Sequence, residues 1–207
     1  MPRKKRPLER DIGVVRDARL VVVASEDTHA VEQYFGRFRT RRVQFRVLPT
    51  EDGCSSPADV VARLDRYKDE FQIGDDDQLW ACFDTDHWVQ SNHIQNLVET
   101  IKCCKQKGYR LAISHPCFEL WLLLHFDDFV PSSQLRCIEV ISLLRQVVGG
   151  YQKSQVHRLP IDADKVVQAV SRAKAIDTTD EPIPSSPTTR VYLLIEELRA
   201  QEAISLV

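Results

Sequence analysis

The six cysteines of this 207-residue chain form no C-x-x-C pair: Cys103 and Cys104 are adjacent, and Cys54, Cys82, Cys117 and Cys137 are scattered. That excludes the usual zinc-ligand spacing. Cys82 and Cys117 sit in apolar surroundings and read as small buried hydrophobes. Reduced thiols of this kind fit a cytoplasmic protein. The basic N-terminus is not followed by an apolar stretch, so no secretory signal is read. No apolar run approaches the roughly 20 residues that cross a bilayer, so no membrane partner is expected. An excess of one charge is also missing: 28 basic and 30 acidic residues leave a net charge of −2, which argues against a polybasic nucleic-acid coat. No internal repeat is visible.

What is present suits a globular domain. Apolar residues make up 43% and charged residues 28%, enough for a core that needs no metal or disulfide to hold it. Basic residues gather at Arg3, Lys4, Lys5, Arg6 and Arg10, and again at Arg37, Arg39, Arg41 and Arg42. Such clusters can neutralise phosphates, and they read equally as a solvated arm and a solvated helix end. Residues 1–18 lack periodicity and form a basic arm. Residues 19–130 carry an α/β pattern, and 131–207 read as a helical C-terminal extension packed on it.

The α/β pattern is regular. Arg19 to Ala24 is a β-branched run, as in a strand buried on both faces. Val31, Tyr34, Phe35 and Phe38 follow at helical spacing. Val43 to Leu48 alternates, and Ser55 or Ser56 can cap a helix that Pro57 begins. Gln78 to Phe83 is a third strand, about 92–107 a helix closed by Gly108, and Tyr109 to Ile113 a fourth strand. An apolar helix spans Cys117 to Phe126. Further helices are expected over about 133–148, 162–176 and 188–199. Strands alternating with helices predict a mostly parallel sheet of about four strands, flanked by helices, with ligands beyond the strands' carboxyl ends.

The polar residues of interest fall at those ends. Asp84-x-Asp86 follows the third strand. Two carboxylates this close need a cation or a basic partner, and hard oxygen ligands suit magnesium. Asp at a strand end is also a turn former or helix cap. Glu26, after the first strand, adds a third carboxylate to the same edge, where the helix dipole alone would also favour it. Glu119 stands in a strongly apolar helix between Phe118 and Leu120, so it is paired or functional. His125 reads as a catalytic candidate or as a hydrogen-bonded core histidine. His87 could reach a phosphate or lie in an exposed loop. Lys153 can balance phosphate charge from its loop.

These motifs resemble the RloB-like family, whose domain is similar to a Toprim fold. The strongest block is Ser114-His115-Pro116-Cys117-Phe118-Glu119-Leu120-Trp121, continued by Leu122-Leu123-Leu124-His125-Phe126. It is close to the family's S-N-P-x-F-E-x-W-x-x-x-H-F pattern. Phe83-Asp84-Thr85-Asp86 matches its D-x-D, and Glu26 with Tyr34-Phe35 matches its strand-end glutamate and following Y-F. Tyr151-Gln152-Lys153 and Pro187-Thr188-Thr189 are weaker echoes. Departures are Asp27 where the family has Gly, Ala30-Val31 where it has Thr-Glu, and His115 where it has Asn.

The resemblance implies a Toprim-like triad, Glu26, Asp84 and Asp86, around Mg2+ or Mn2+, with Glu119 and His125 assisting. It implies an effector nuclease of a bacterial anti-phage, abortive-infection system, acting on DNA or on RNA such as tRNA. Arg37, Arg39, Arg41, Arg42 and Lys153 would contact nucleic acid. A partner ATPase of the AAA or ABC type is implied, with room for a homo-oligomer. The competing reading is a module that binds nucleic acid or the ATPase without cutting. A nucleotidyl transferase or phosphatase using the same triad is a third.

Overall fold

A computed structural model describes residues 19–40, 42–50, 54–86, 88, 94–128, 134–201 and 205–206. The first half runs β1 (Arg19–Ser25), α1 (Ala30–Phe35), β2 (Phe38–Arg39), β3 (Val43–Val47), α2 (Pro57–Glu70), β4 (Gln78–Asp84), α3 (Ile94–Lys107) and β5 (Arg110–His115). The second half runs α4 (Glu119–Leu123), α5 (Cys137–Val148), a 3-10 turn over Lys153–Arg158, α6 (Ala163–Ile176), β6 (Thr188–Thr189), α7 (Val191–Gln201) and β7 (Ser205–Leu206).

The main sheet has the order β3-β1-β4-β5-β6. β1 is parallel to β3 and to β4, and β4 is parallel to β5. The chain leaves β1 toward β3 on one side and later enters β4 on the other. The carboxyl ends of β1 and β4 therefore flank a topological switch point, where open α/β sheets place their ligands.

Alternation along β1 explains why the sheet is covered twice. Val21 and Val23 enter a core shared with α1, α4 and the C-terminal helices. Leu20, Val22 and Ala24 enter a second core under α2 and α3. Successive strand side chains point to opposite faces, so a run of valines is stable only between two helix layers. Beyond Glu119, α4 is apolar on every side because it is covered on every side: Leu120, Trp121, Leu122 and Leu123 are fully buried.

The caps follow the sequence. Ser56 accepts from the Asp59 N–H and Asp59 answers at the Ser56 N–H, a capping box ahead of Pro57. Gly108, at φ 75°, closes α3 in the left-handed region that other residues avoid.

The four expected strands are present, and the sheet is mostly parallel. A fifth, short antiparallel strand adds to its edge at Thr188–Thr189, where a helix from 188 was expected. Both threonines are β-branched and pair with His115 and Ser114, and the Ser114 and Thr189 hydroxyls meet at 2.9 Å. The helix begins only at Val191. The helix expected over Cys117–Phe126 is α-helical for five residues and finishes in tighter turns, with the Phe126 N–H on the Leu123 carbonyl. The polar loop expected at 149–160 contains the 3-10 turn. Among the described residues no helix is long and apolar enough to cross a membrane.

Candidate active site

Glu26 sits on the turn that leaves β1, and a buried arginine fixes that turn. Arg63 of α2 donates to the Ser25 carbonyl at 2.6 Å, to the Pro49 carbonyl at 3.1 Å and to the Thr50 hydroxyl at 2.9 Å. The Ser25 hydroxyl donates to the Asp27 carbonyl at 2.9 Å. The Trp88 indole N–H donates to Glu26 Oε2 at 3.3 Å. Glu26 Oε1 is buried and has no hydrogen-bond partner among the described residues. Burial pushes the Glu26 carboxyl up to about 8; the Trp88 bond offsets this in part, the Asp86 charge adds to it, and Arg63 opposes it.

Asp84 ends β4 beside β1. Burial raises its pKa well above the usual carboxylate range, and the charges of Glu119 and Glu26 add to the shift. The segment after β5 braces this D-x-D. The Thr85 N–H donates to the Ser114 and Pro116 carbonyls at 3.0 and 3.1 Å, and the Asp86 N–H donates to the Pro116 carbonyl at 3.1 Å. His115 Nδ1 meets the Thr85 hydroxyl. The His115–Pro116 peptide is cis. The Ser-His-Pro motif thus holds the backbone that aims Asp84 and Asp86.

Glu26, Asp84 and Asp86 line one open cavity of about 480 Å3, together with Asp27, Trp88 and Lys153. Glu119, fully buried on α4, lies behind it. Lys153 Nζ bridges Glu119 Oε1 at 3.0 Å and Asp27 Oδ2 at 3.3 Å. Burial works against its charge, but Glu119 and Asp27 outweigh burial and hold its pKa above the ordinary lysine value. The Tyr151 hydroxyl donates to the same Glu119 oxygen at 3.2 Å. Asp27 also forms a turn that leads into α1, accepting from the His29 and Ala30 N–H groups through Oδ1. Its extra negative charge is thereby tied to a helix start and a lysine. Lys153, expected to balance phosphate charge from its loop, also reaches into the carboxylate cluster.

Other sequence candidates fall elsewhere. His125 does not line this cavity. Its Nε2 meets the Tyr34 hydroxyl at 3.0 Å and its Nδ1 meets the Trp121 carbonyl at 2.9 Å, inside a ring of aromatic side chains. Burial lowers its pKa to about 3, so it is neutral and occupied, which suits a core residue and not an acid or base. Arg37 donates to the Leu159 and Ile161 carbonyls at 2.8 and 3.0 Å, clamping the end of α1 to the 3-10 segment. That leaves it a structural arginine. Arg39 binds the Gly36 carbonyl at 3.0 Å, and Arg42 lies exposed just before β3. Arg41, His87 and the basic arm lie outside the described residues. Cys117 is not a free thiol: it forms a disulfide with Cys137, at a Cα–Cα distance of 5.6 Å, along the wall of the cavity. The expectation of wholly reduced cysteines is corrected at this pair, because α4 and α5 pack side by side and bring the two together.

Arg63 and Trp88 lie outside every sequence motif, and Tyr151 falls only in a weak echo of the family pattern. Arg63 had a signal, a charge beside Leu64 on the apolar face of α2. Trp88 had none.

The family model for RloB-like proteins matches residues 21–198, most of the chain. The chain belongs to the RloB-like family. No curated protein and no solved structure matched it. In this RloB-like chain the match runs from β1 into α7, so Glu26, Asp84, Asp86, Glu119 and Lys153 all lie inside it.

Proposed function

We propose that this RloB-like chain is a magnesium-dependent, Toprim-like nuclease effector of a bacterial anti-phage, abortive-infection system. Its substrates are phosphodiester bonds in RNA, tRNA included, or in DNA. One observation carries the reading: Glu26, Asp84 and Asp86 share a cavity at the sheet's switch point, with Glu26 and Asp84 shifted toward their neutral forms and Glu26 Oε1 unpartnered. Buried carboxylates in this state need a proton or a cation. An all-oxygen donor set fits Mg2+ or Mn2+ in place of softer ions.

Glu26, Asp84 and Asp86 would hold the metal, which when bound supplies Lewis-acid stabilisation of the charge that builds on a phosphate. The chain's own groups do the rest. Glu26, neutral in the empty cavity, would be a carboxylate once an ion is bound, and an oxygen not engaged by the ion could then take a proton from a water in the cavity. Lys153 offers a fixed positive charge beside the carboxylates, suited to a phosphate oxygen. Glu119 and Tyr151 hold that lysine, and Arg63 and Trp88 fix the turn and orientation of Glu26. The ATPase partner of the AAA or ABC type, and restraint by it, rest on the family resemblance. The second reading, a module that binds nucleic acid or the ATPase without cutting, draws on Lys153, which already supplies one cation to the acidic cluster.

The test is incubation of the purified chain with DNA, tRNA and total RNA in Mg2+ or Mn2+. Cleavage that disappears in Asp84→Ala and Glu26→Ala is the expected result. Binding that survives Asp84→Ala with no cleavage of any substrate would favour the second reading and sink the first.

A further inference from the structure

Cys117, Glu119 and Cys137 bring two sulfurs and a carboxylate oxygen within 4.8 Å of one another. Cys117 and Glu119 stand two residues apart at the start of the α4 segment, and Cys137 joins them from the first turn of α5, 20 residues beyond Cys117. Glu119 is divided between two jobs. Its Oε1 takes Lys153 and Tyr151, while Oε2 faces Cys137 Sγ at 3.8 Å. In a tetrahedral zinc site, with bonds of about 2.3 Å to sulfur and about 2.0–2.2 Å to oxygen, neighbouring donors stand roughly 3.5–3.8 Å apart. The Glu119–Cys137 separation already has that length. The Cα atoms of the two cysteines, 5.6 Å apart, leave the sulfurs free to open to the same spacing once unbonded. Both cysteines border the cavity, which gives an ion a way in and a water room as fourth ligand.

We propose that the reduced form of this pair, with Glu119 Oε2, is a thiolate–carboxylate site for a zinc-class ion, gated by the Cys117–Cys137 disulfide. The site is distinct from the all-oxygen cluster of Glu26, Asp84 and Asp86, because thiolates select softer ions. A dithiol reductant opens it: the disulfide gains two electrons and two protons to become two thiols, and the reductant becomes a cyclic disulfide. Metal entry then releases both thiol protons and forms two metal–sulfur bonds and one metal–oxygen bond. Lys153 and Tyr151 on Oε1 orient the carboxylate, as outer partners orient ligands in known metal sites. Zinc and disulfide exclude each other, so the thiol state of the protein decides whether an ion sits beside the acidic cavity.

The experiment uses the full chain and cobalt(II) as a coloured stand-in for zinc. Phosphine-reduced protein is expected to show thiolate-to-cobalt charge-transfer absorption from one Co2+ at this site, which Zn2+ abolishes by displacement. Protein oxidised with diamide is expected to show none. That comparison needs no substitution, so misfolding does not blur it. Cys117→Ser/Cys137→Ser, which keeps the other four cysteines, is expected to lose the band. Glu119→Gln is expected to keep it with at least tenfold weaker affinity. Asp84→Asn is expected to leave it unchanged, which separates this site from the proposed nuclease centre whether or not the chain cuts nucleic acid. The proposal is overturned by absence of the band in reduced wild type, by its persistence in oxidised protein or in the double serine variant, or by unchanged affinity in Glu119→Gln.

Discussion

Glutamine at position 26 is expected to stabilise the metal-free protein at alkaline pH. The reason lies in a carboxyl whose folded pKa is about 8 against an ordinary 4.5. A raised folded pKa means that the fold prefers the protonated form. Its stabilising contribution is complete below pH 4.5 and is lost as pH rises through 8. At about 1.36 kcal/mol per pKa unit, the wild type loses roughly 3 kcal/mol from this group between pH 5.5 and pH 8. Partial access of water to the cavity lowers that toward about 2 kcal/mol. Glutamine keeps an oxygen for the Trp88 indole and has no proton to lose. In EDTA, thermal unfolding at the two pH values is therefore expected to separate the proteins. The Tm of Glu26→Gln relative to the wild type should rise by about 4–12 °C between pH 5.5 and pH 8, using roughly 2–4 °C per kcal/mol for a chain of this size. Mg2+ or Mn2+ should close the gap by stabilising only the wild type. The reasoning is refuted if Glu26→Gln is destabilised equally at both pH values, or if its pH slope equals that of the wild type.

Lys153→Met leaves the fully buried Glu119 without its cation, and urea unfolding is expected to show a loss of about 2–3 kcal/mol, discounted because Lys153 is partly exposed. Adding Glu119→Gln should restore part of that loss, and a strictly additive double variant would deny the coupling. His125, with its folded pKa lowered to about 3 from 6.5, contributes stability that is present above pH 6.5 and lost as pH falls toward 3. His125→Gln should therefore flatten the acid limb of the pH–stability curve by up to about 4 kcal/mol, and an unchanged limb would contradict its burial as the neutral form. Arg37→Ala removes a clamp on the carbonyls of Leu159 and Ile161 and should cost about 1–3 kcal/mol in urea unfolding. Its nucleic-acid affinity should stay within twofold; a large drop would restore Arg37 to the binding surface.

The residues that could be read from the sequence share one property: their signal is local. The valines of β1, the Ser56–Pro57 cap and Gly108 each state their conformation within a few residues. Glu26, Asp84 and Asp86 were placed on one edge because strand ends in parallel sheets gather there. What escaped the sequence depends on contacts across long separations. Thr188–Thr189 becomes a strand only because Ser114 and His115 offer an edge some 75 residues earlier. Arg63 braces the Glu26 turn from 38 residues away. Lys153 reaches Asp27 across 126 residues, a contact that adds it to the carboxylate cluster. His125 looked equally like an acid–base residue and a core residue, and Tyr34, 91 positions earlier, supplies the partner that decides for the core.

The central claim is that Glu26, Asp84 and Asp86 together bind the divalent ion that cleavage requires. Crystals soaked in manganese test it most directly through the metal's anomalous scattering. A single peak in contact with all three carboxylates, lost in Asp84→Asn, is the predicted result. No peak in that cavity at millimolar manganese, with the three carboxylates turned apart, would contradict the account.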